Sequence, residues 1–306
     1  DRLRLVFTCC HPAISQPAQV ALALRTLCGL STREIARAFL EPEATTAQRL
    51  VRVKKKIRDA GIPYDVPSRE LLPERLQAVL GVVYLVFNEG YAATETPGLI
   101  RPDLCAEAIR LARLLAELMP VEPEVPGLLA LMLLHDARRA TRTGDDGLLV
   151  PLEAQDRSRW NRQAIEEGVA VLDSALQLRR RGPYQLQAAI AALHARAQRA
   201  EDTDWPQIAA LYRGLLREQP GAVVELNAAV ALAMAEGAER GLAWIDAIAE
   251  RGELADYHLL HAARADLQRR LGRLDAACEA YRTALALVRN EAERRYLAAR
   301  LLECGG

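Results

Sequence analysis

Apolar residues recur at helical spacing along almost the whole chain, and no segment alternates apolar and polar positions as a half-buried strand does. Stretches such as Leu104–Leu118, Leu128–Ala140 and Leu186–Ala197 run for helical lengths between clusters of proline and glycine. Those breakers fall at Pro63–Pro67, Thr96–Pro102, Pro120–Pro126, Gly144–Pro151, Gly182-Pro183, Pro220-Gly221 and Gly252. The pattern predicts an all-α protein. Its 306 residues suffice for two or three domains with sizeable cores. No apolar run approaches the ~18 residues of a membrane-spanning helix.

Two capping motifs stand close together near the start. Ser31-Thr-Arg-Glu34 and Thr45-Thr-Ala-Gln48 both read as capping boxes, in which a hydroxyl accepts from an orphan amide and the residue three later reaches back. The first predicts a helix from Thr32 to about Phe39. The second predicts one from Thr46 to about Asp59, stopped by Gly61 and Pro63. Leu40–Ala44 is the turn between them, and an apolar helix around Val20–Leu27 precedes both, which makes a helix-turn-helix. On a 100° wheel Thr46, Leu50, Val53 and Ile57 share the face that packs inward. Thr45, Gln48, Arg52 and Lys55 face away, with Arg49 and Lys56 on the flanks. Thr45, Gln48, Arg49 and Arg52 occupy the N-terminal positions from which such a helix reads bases, while Lys55 and Lys56 suit phosphates. The competing reading is a merely solvated basic face; the paired capping boxes and their spacing favour DNA.

Net charge changes this picture twice. Forty Lys and Arg against forty Asp and Glu give a formal charge of zero, which argues against a polyanion partner. Residues 1–62, however, hold eleven basic and five acidic side chains, an excess of six that the remainder balances with the opposite sign. A basic head on an acidic body points to nucleic acid, or to the two parts meeting each other. The chain's only lysines are Lys54, Lys55 and Lys56.

The strings Asp1-Arg-Leu-Arg-Leu-Val-Phe-Thr-Cys-Cys-His-Pro12, Gly29-Leu-Ser-Thr-Arg-Glu-Ile-Ala36 and Pro42-Glu-Ala-Thr-Thr-Ala-Gln-Arg-Leu-Val-Arg52 resemble region four of extracytoplasmic-function sigma factors. The resemblance is to the group with a long tetratricopeptide-repeat extension, and it continues through Tyr84–Tyr91, Leu128–Arg139 and Gly182–Ala192. It implies that the head binds the promoter −35 element and the β flap of core RNA polymerase. Thr45, Gln48, Arg49 and Arg52 are then base or backbone readers, and Lys55 and Lys56 phosphate contacts. The family's region two, which melts the −10 element, has no counterpart here. The resemblance thus implies the C-terminal part of a longer protein, as does a start at Asp1 without methionine.

The expected organisation is a region-four head over 1–62, a helical middle domain over 68–181 and tetratricopeptide-like repeats over 182–306. The clearest repeat is Arg264–Leu287, with Gly272 closing its turn. Steps of 35 and 34 residues lead back to Gly237, Leu242 and Ala249, then to Ile208, Tyr212, Leu215 and Pro220. In the earlier, degenerate repeats Asp246 occupies an aromatic position. Such repeats stack into a solenoid, read here as an intramolecular brace or a groove for a protein or peptide partner.

The middle is dense in polar residues, including Asn88-Glu89, Glu107, Arg110, His135-Asp136, Arg138-Arg139 and Asp156–Trp160. Glu89, Glu107, His135 and Asp136 form a candidate metal or acid–base cluster. Adjacent His135 and Asp136 cannot share a helix face, so buried Arg–carboxylate networks are the preferred reading. His258 and His261 share a face without a further ligand pair, and His194 reads as a core or repeat-interface residue. The six cysteines lack a CxxC pair or framework spacing, which fits a reducing cytoplasm. Adjacent Cys9 and Cys10 beside His11 are poorly placed to share a metal ion. We expect no catalytic centre, no metal and no cofactor, and partners in promoter DNA and polymerase rather than a membrane. The alternative is a helix-turn-helix regulator with a repeat-built sensor that is not a sigma factor.

Overall fold

The periodic segments all form helices. The structure, a computed structural model, describes residues 2–39, 41–91, 102–144 and 148–305. Turn residue 40, breaker residues 96–101 and loop residues 145–147 lie outside the described residues. The basic head is built from α1 (Arg2–Cys9), α2 (Gln16–Thr26), α3 (Thr32–Ala38) and α4 (Glu43–Asp59). The middle consists of α5 (Leu72–Tyr91), α6 (Pro102–Leu118), α7 (Glu124–Asp136) and α8 (Arg162–Gln177). Seven more helices follow: α9 (Pro183–Arg196), α10 (Trp205–Glu218), α11 (Ala222–Glu236), α12 (Ala238–Glu250), α13 (His258–Arg270), α14 (Leu274–Leu287) and α15 (Glu291–Glu303). Among the described residues, β pairing is confined to one isolated bridge between Thr143 and Leu149. None of the described helices is long and apolar enough to cross a membrane.

One apolar core runs from the head into α9. It joins Phe7 of α1 and Leu24 of α2 to Leu80 and Phe87 of α5, Leu111 of α6, Leu128 of α7 and Ala188 of α9. Polar bonds fasten the same junction: the guanidinium of Arg75 donates to the Phe7 carbonyl at 2.8 Å, and that of Arg110 to the Leu27 carbonyl at 2.9 Å. The acidic middle therefore meets the basic head through shared hydrophobic packing. The exposed linker Pro63–Val66 marks a break in the chain but not in the core.

The breaker at Gly182-Pro183 has a tertiary reason. Glu124, in the first turn of α7, accepts hydrogen bonds from the Tyr184 and Gln185 amides at 2.9 and 3.2 Å and so caps α9 from a neighbouring helix. A Cβ at position 182 would lie 2.3 Å from the Glu124 carboxyl carbon, so only glycine admits the carboxylate.

From α9 onward each helix packs on its sequence neighbours, and the apolar residues divide into small local clusters. Gly237 and Gly272, with φ of 108° and 73°, turn the chain between α11 and α12 and between α13 and α14. Small residues bring the paired helices close: a Cβ on Gly241 would fall 2.3 Å from that of Ala233. Asp246, unexpected at an aromatic position, accepts from Arg264 at 2.6 Å and ties α12 to α13.

Candidate nucleic-acid interface

Ser31 caps α3 reciprocally, its hydroxyl accepting from the Glu34 amide at 3.1 Å while Glu34 accepts from the Ser31 amide at 2.7 Å. The second capping motif is not formed. Helix α4 starts three residues earlier than expected, with Pro42 at the N-cap and no side-chain cap. Glu41, just before the helix, ties the turn to it: its carboxylate accepts from the Thr46 hydroxyl and, at 2.6 Å each, from both terminal nitrogens of Arg49. Thr46 is thereby buried and satisfied, and Pro42 and Glu43 open the helix with a preset φ and an acidic side chain at the positive end of its dipole.

The inward face is the expected one: Thr46, Leu50 and Val53 are buried and Ile57 is half-buried. Thr45, Gln48, Arg52, Lys55 and Lys56 are all exposed on the outer side. Arg49, half-buried and paired with Glu41, fastens the turn to the helix and is not a free reader in this arrangement. Thr45, Gln48, Arg49, Arg52 and Lys56 line a cleft of about 300 Å³ whose other wall is the start of α2 at Ile14, Ser15 and Ala18. Ser15 is the N-cap of α2 and bonds no amide with its side chain, so the positive end of that helix opens beside the cations of α4.

Two surface residues escaped the sequence reading. Val51 is 67% exposed in the middle of α4. Its wheel position beside Gln48 and Lys55 was the available signal. Ser15 gave no signal, because only the packing of α2 against α4 brings it to the cleft.

The candidate acid–base residues do not assemble. Glu107 pairs with Arg110 at 3.0 Å near Cys28, whereas His135 stands edge-on to Tyr91 with ring centroids 5.2 Å apart. Asp136 pairs with Arg139 at 3.3 Å, and burial pushes its carboxyl above the usual range. No group of three or more metal-binding side chains occurs among the described residues. His258 meets Glu293 at 3.2 Å, and His261 bonds the Ala255 carbonyl. All six cysteines are free; burial raises the Cys9 thiol to about 11, leaving it a protonated core residue. Arg113–Glu167 and Arg180–Glu122 do join distant segments of the chain, but through arginines that lie at the exposed surface and not through a buried network. Arg142 and Arg157 instead bond backbone carbonyls, of Tyr91 and of His194 and Ala197.

The described residues form an all-helical protein in which the cationic outer face of α4 is exposed. Residues 75–176 match a family described as a family of unknown function, DUF6596. The chain is 50% identical over 297 residues to the uncharacterized protein R00370 of Rhizobium meliloti (strain 1021), covering 97% of this chain and 70% of that protein. It belongs to the family of that protein. No solved structure matches it.

Proposed function

We propose that the chain is the promoter-reading and regulatory part of an alternative sigma factor of the extracytoplasmic-function type. In this reading α3 and α4 form a helix-turn-helix, α4 enters the major groove at the −35 element, and the helices from α9 onward form a tetratricopeptide-like solenoid that regulates the head. The observation that carries the reading is the exposed outer face of α4, where Thr45, Gln48, Arg52, Lys55 and Lys56 stand free of the body. Gln48 in the second turn and Arg52 in the third match the geometry of base edges, and the lysines further along match phosphates. Core RNA polymerase, through its β flap, is the second partner.

The test is duplex binding by the intact chain, followed by fluorescence anisotropy at several salt concentrations. Replacing Lys55 and Lys56 with glutamine should weaken all duplexes alike and lower the log–log salt slope by about 1–2, near 0.9 per lost phosphate contact. Gln48→Ala or Arg52→Ala should instead change base preference, at about 1–3 kcal/mol per lost base contact. Duplex affinity unchanged by all four substitutions would remove the reading.

A further inference from the structure

Between the middle helices and the first solenoid helices lies a cavity of about 290 Å³, room for roughly ten water-sized groups. It is separate from the α4 face and independent of what the head binds. Its polar lining includes His135, Arg138, Gln187, His194 and Asn227, and none of the described residues that line it is a carboxylate. Tyr84, Trp160 and Tyr212 supply flat aromatic wall.

The charge here is unbalanced. Arg138 touches His135 Nδ1 at 3.3 Å and the face of Tyr91 at 5.6 Å, and has no acidic partner among the described residues. The Nδ1 atom of His194 is buried without a hydrogen-bond partner. Both histidines are held neutral, first by burial and then by the neighbouring arginines. Nearby Arg157 has a structural role: its Nη1 donates to the His194 and Ala197 carbonyls at 2.8 and 2.9 Å and so closes the C-terminus of α9. Arg138 has no such role. Half-buried Arg138 therefore leaves positive charge at the cavity that a bound anion would balance.

We infer that this cavity binds a small anion with a flat apolar body, its carboxylate or phosphate on Arg138 and its ring against the aromatic wall. Gln187 and Asn227 donate to the remaining oxygens, and His194 Nδ1 takes part in the same bonding. Both headgroups present the planar or tetrahedral oxygens that guanidinium donors match.

The test uses the intact chain, titrated with benzoate, phenyl phosphate and inorganic phosphate at constant ionic strength against chloride. Trp160 in the cavity wall reports binding by fluorescence, and calorimetry gives the stoichiometry. At least one aromatic anion should bind at one site with a Kd of about 1 mM or tighter. Benzoate ahead of phenyl phosphate assigns a carboxylate, the reverse a phosphate ester, and inorganic phosphate should bind more weakly than the better of them. Arg138→Gln should weaken binding at least about tenfold. Asn227→Ala, on the exposed rim, should weaken it severalfold while the thermal midpoint stays put, and exposed Arg217→Gln should change nothing. Absence of saturable binding by every anion overturns the inference. So does undiminished binding by folded Arg138→Gln and Asn227→Ala proteins.

Discussion

At the scale of single residues, the structure redistributes roles that composition assigned by type. Arg49 and Arg52 both rank as candidate base readers from the sequence, yet of the two Glu41 engages only Arg49. Glu41 precedes the helix, so its carboxylate is invisible to the wheel, and three-dimensional closure of the turn is what brings it back. The histidines make a similar point. Burial, reinforced by Arg138 and Arg157, lowers the His194 pKa to about 4, and burial with Arg138 and Arg142 lowers that of His135 well below its usual value. Each takes up its proton more readily in the unfolded chain, so stability is fully present above about pH 6.5 and falls as the pH drops toward 4. The expected slope is about 1.4 kcal/mol per pH unit for each histidine. Urea denaturation at pH 7, 6 and 5 should show that decline, and His194→Gln should make it shallower. Asp136, with its carboxyl raised by burial, acts with the opposite sign, at the lower pH where carboxylates titrate.

At the scale of helices, local signals succeed where the partners are local. Ser31 and Glu34 satisfy one another within a single turn, and the capping box forms as read. Thr45-Thr-Ala-Gln48 has the same pattern, but Pro42 takes the N-cap place and the helix opens at Glu43, which leaves Thr45 inside its first turn. The turns between α11 and α12 and between α13 and α14 were legible at Gly237 and Gly272, whose positive φ values close them. Gly241 carries a sharper consequence. Its Cβ would meet the Ala229 carbonyl oxygen at 2.7 Å as well as the Ala233 side chain, and the contact cannot be relieved by rotating a flexible tip. Gly241→Ala should therefore destabilise the α11–α12 pair by about 2 kcal/mol in chemical denaturation, outweighing the ~1 kcal/mol that alanine gains in helix propensity.

At the scale of the whole molecule, the chain divides differently from its charge. Head and middle differ in sign and are separated by an exposed linker, yet Phe7, Leu24, Phe87 and Leu128 lie in one core. The more C-terminal helices hold three smaller clusters that depend on their neighbours. In native-state hydrogen exchange, α1, α2, α5 and α7 should therefore exchange in one cooperative unit, with α13–α15 opening at lower free energy. Independent opening of α1 and α2 ahead of α5 would contradict the shared core. The same packing leaves α4 on the outside, held by α2 and α3, so its lysines face solvent instead of the acidic body.

The sequence by itself determined the all-helical class, the inward stripe of α4, the first capping box and the confinement of lysine to one helix. These follow from period, cap chemistry and composition, which act over a few residues or are simple counts. Only the tertiary structure decided that Glu124 caps α9, that Glu41 withdraws Arg49, that head and middle share a core, and that Arg138 lines a cavity with no carboxylate among its described lining residues. Each of those depends on side chains that are distant along the chain or lie off the helix being read, and only packing brings them within reach of one another.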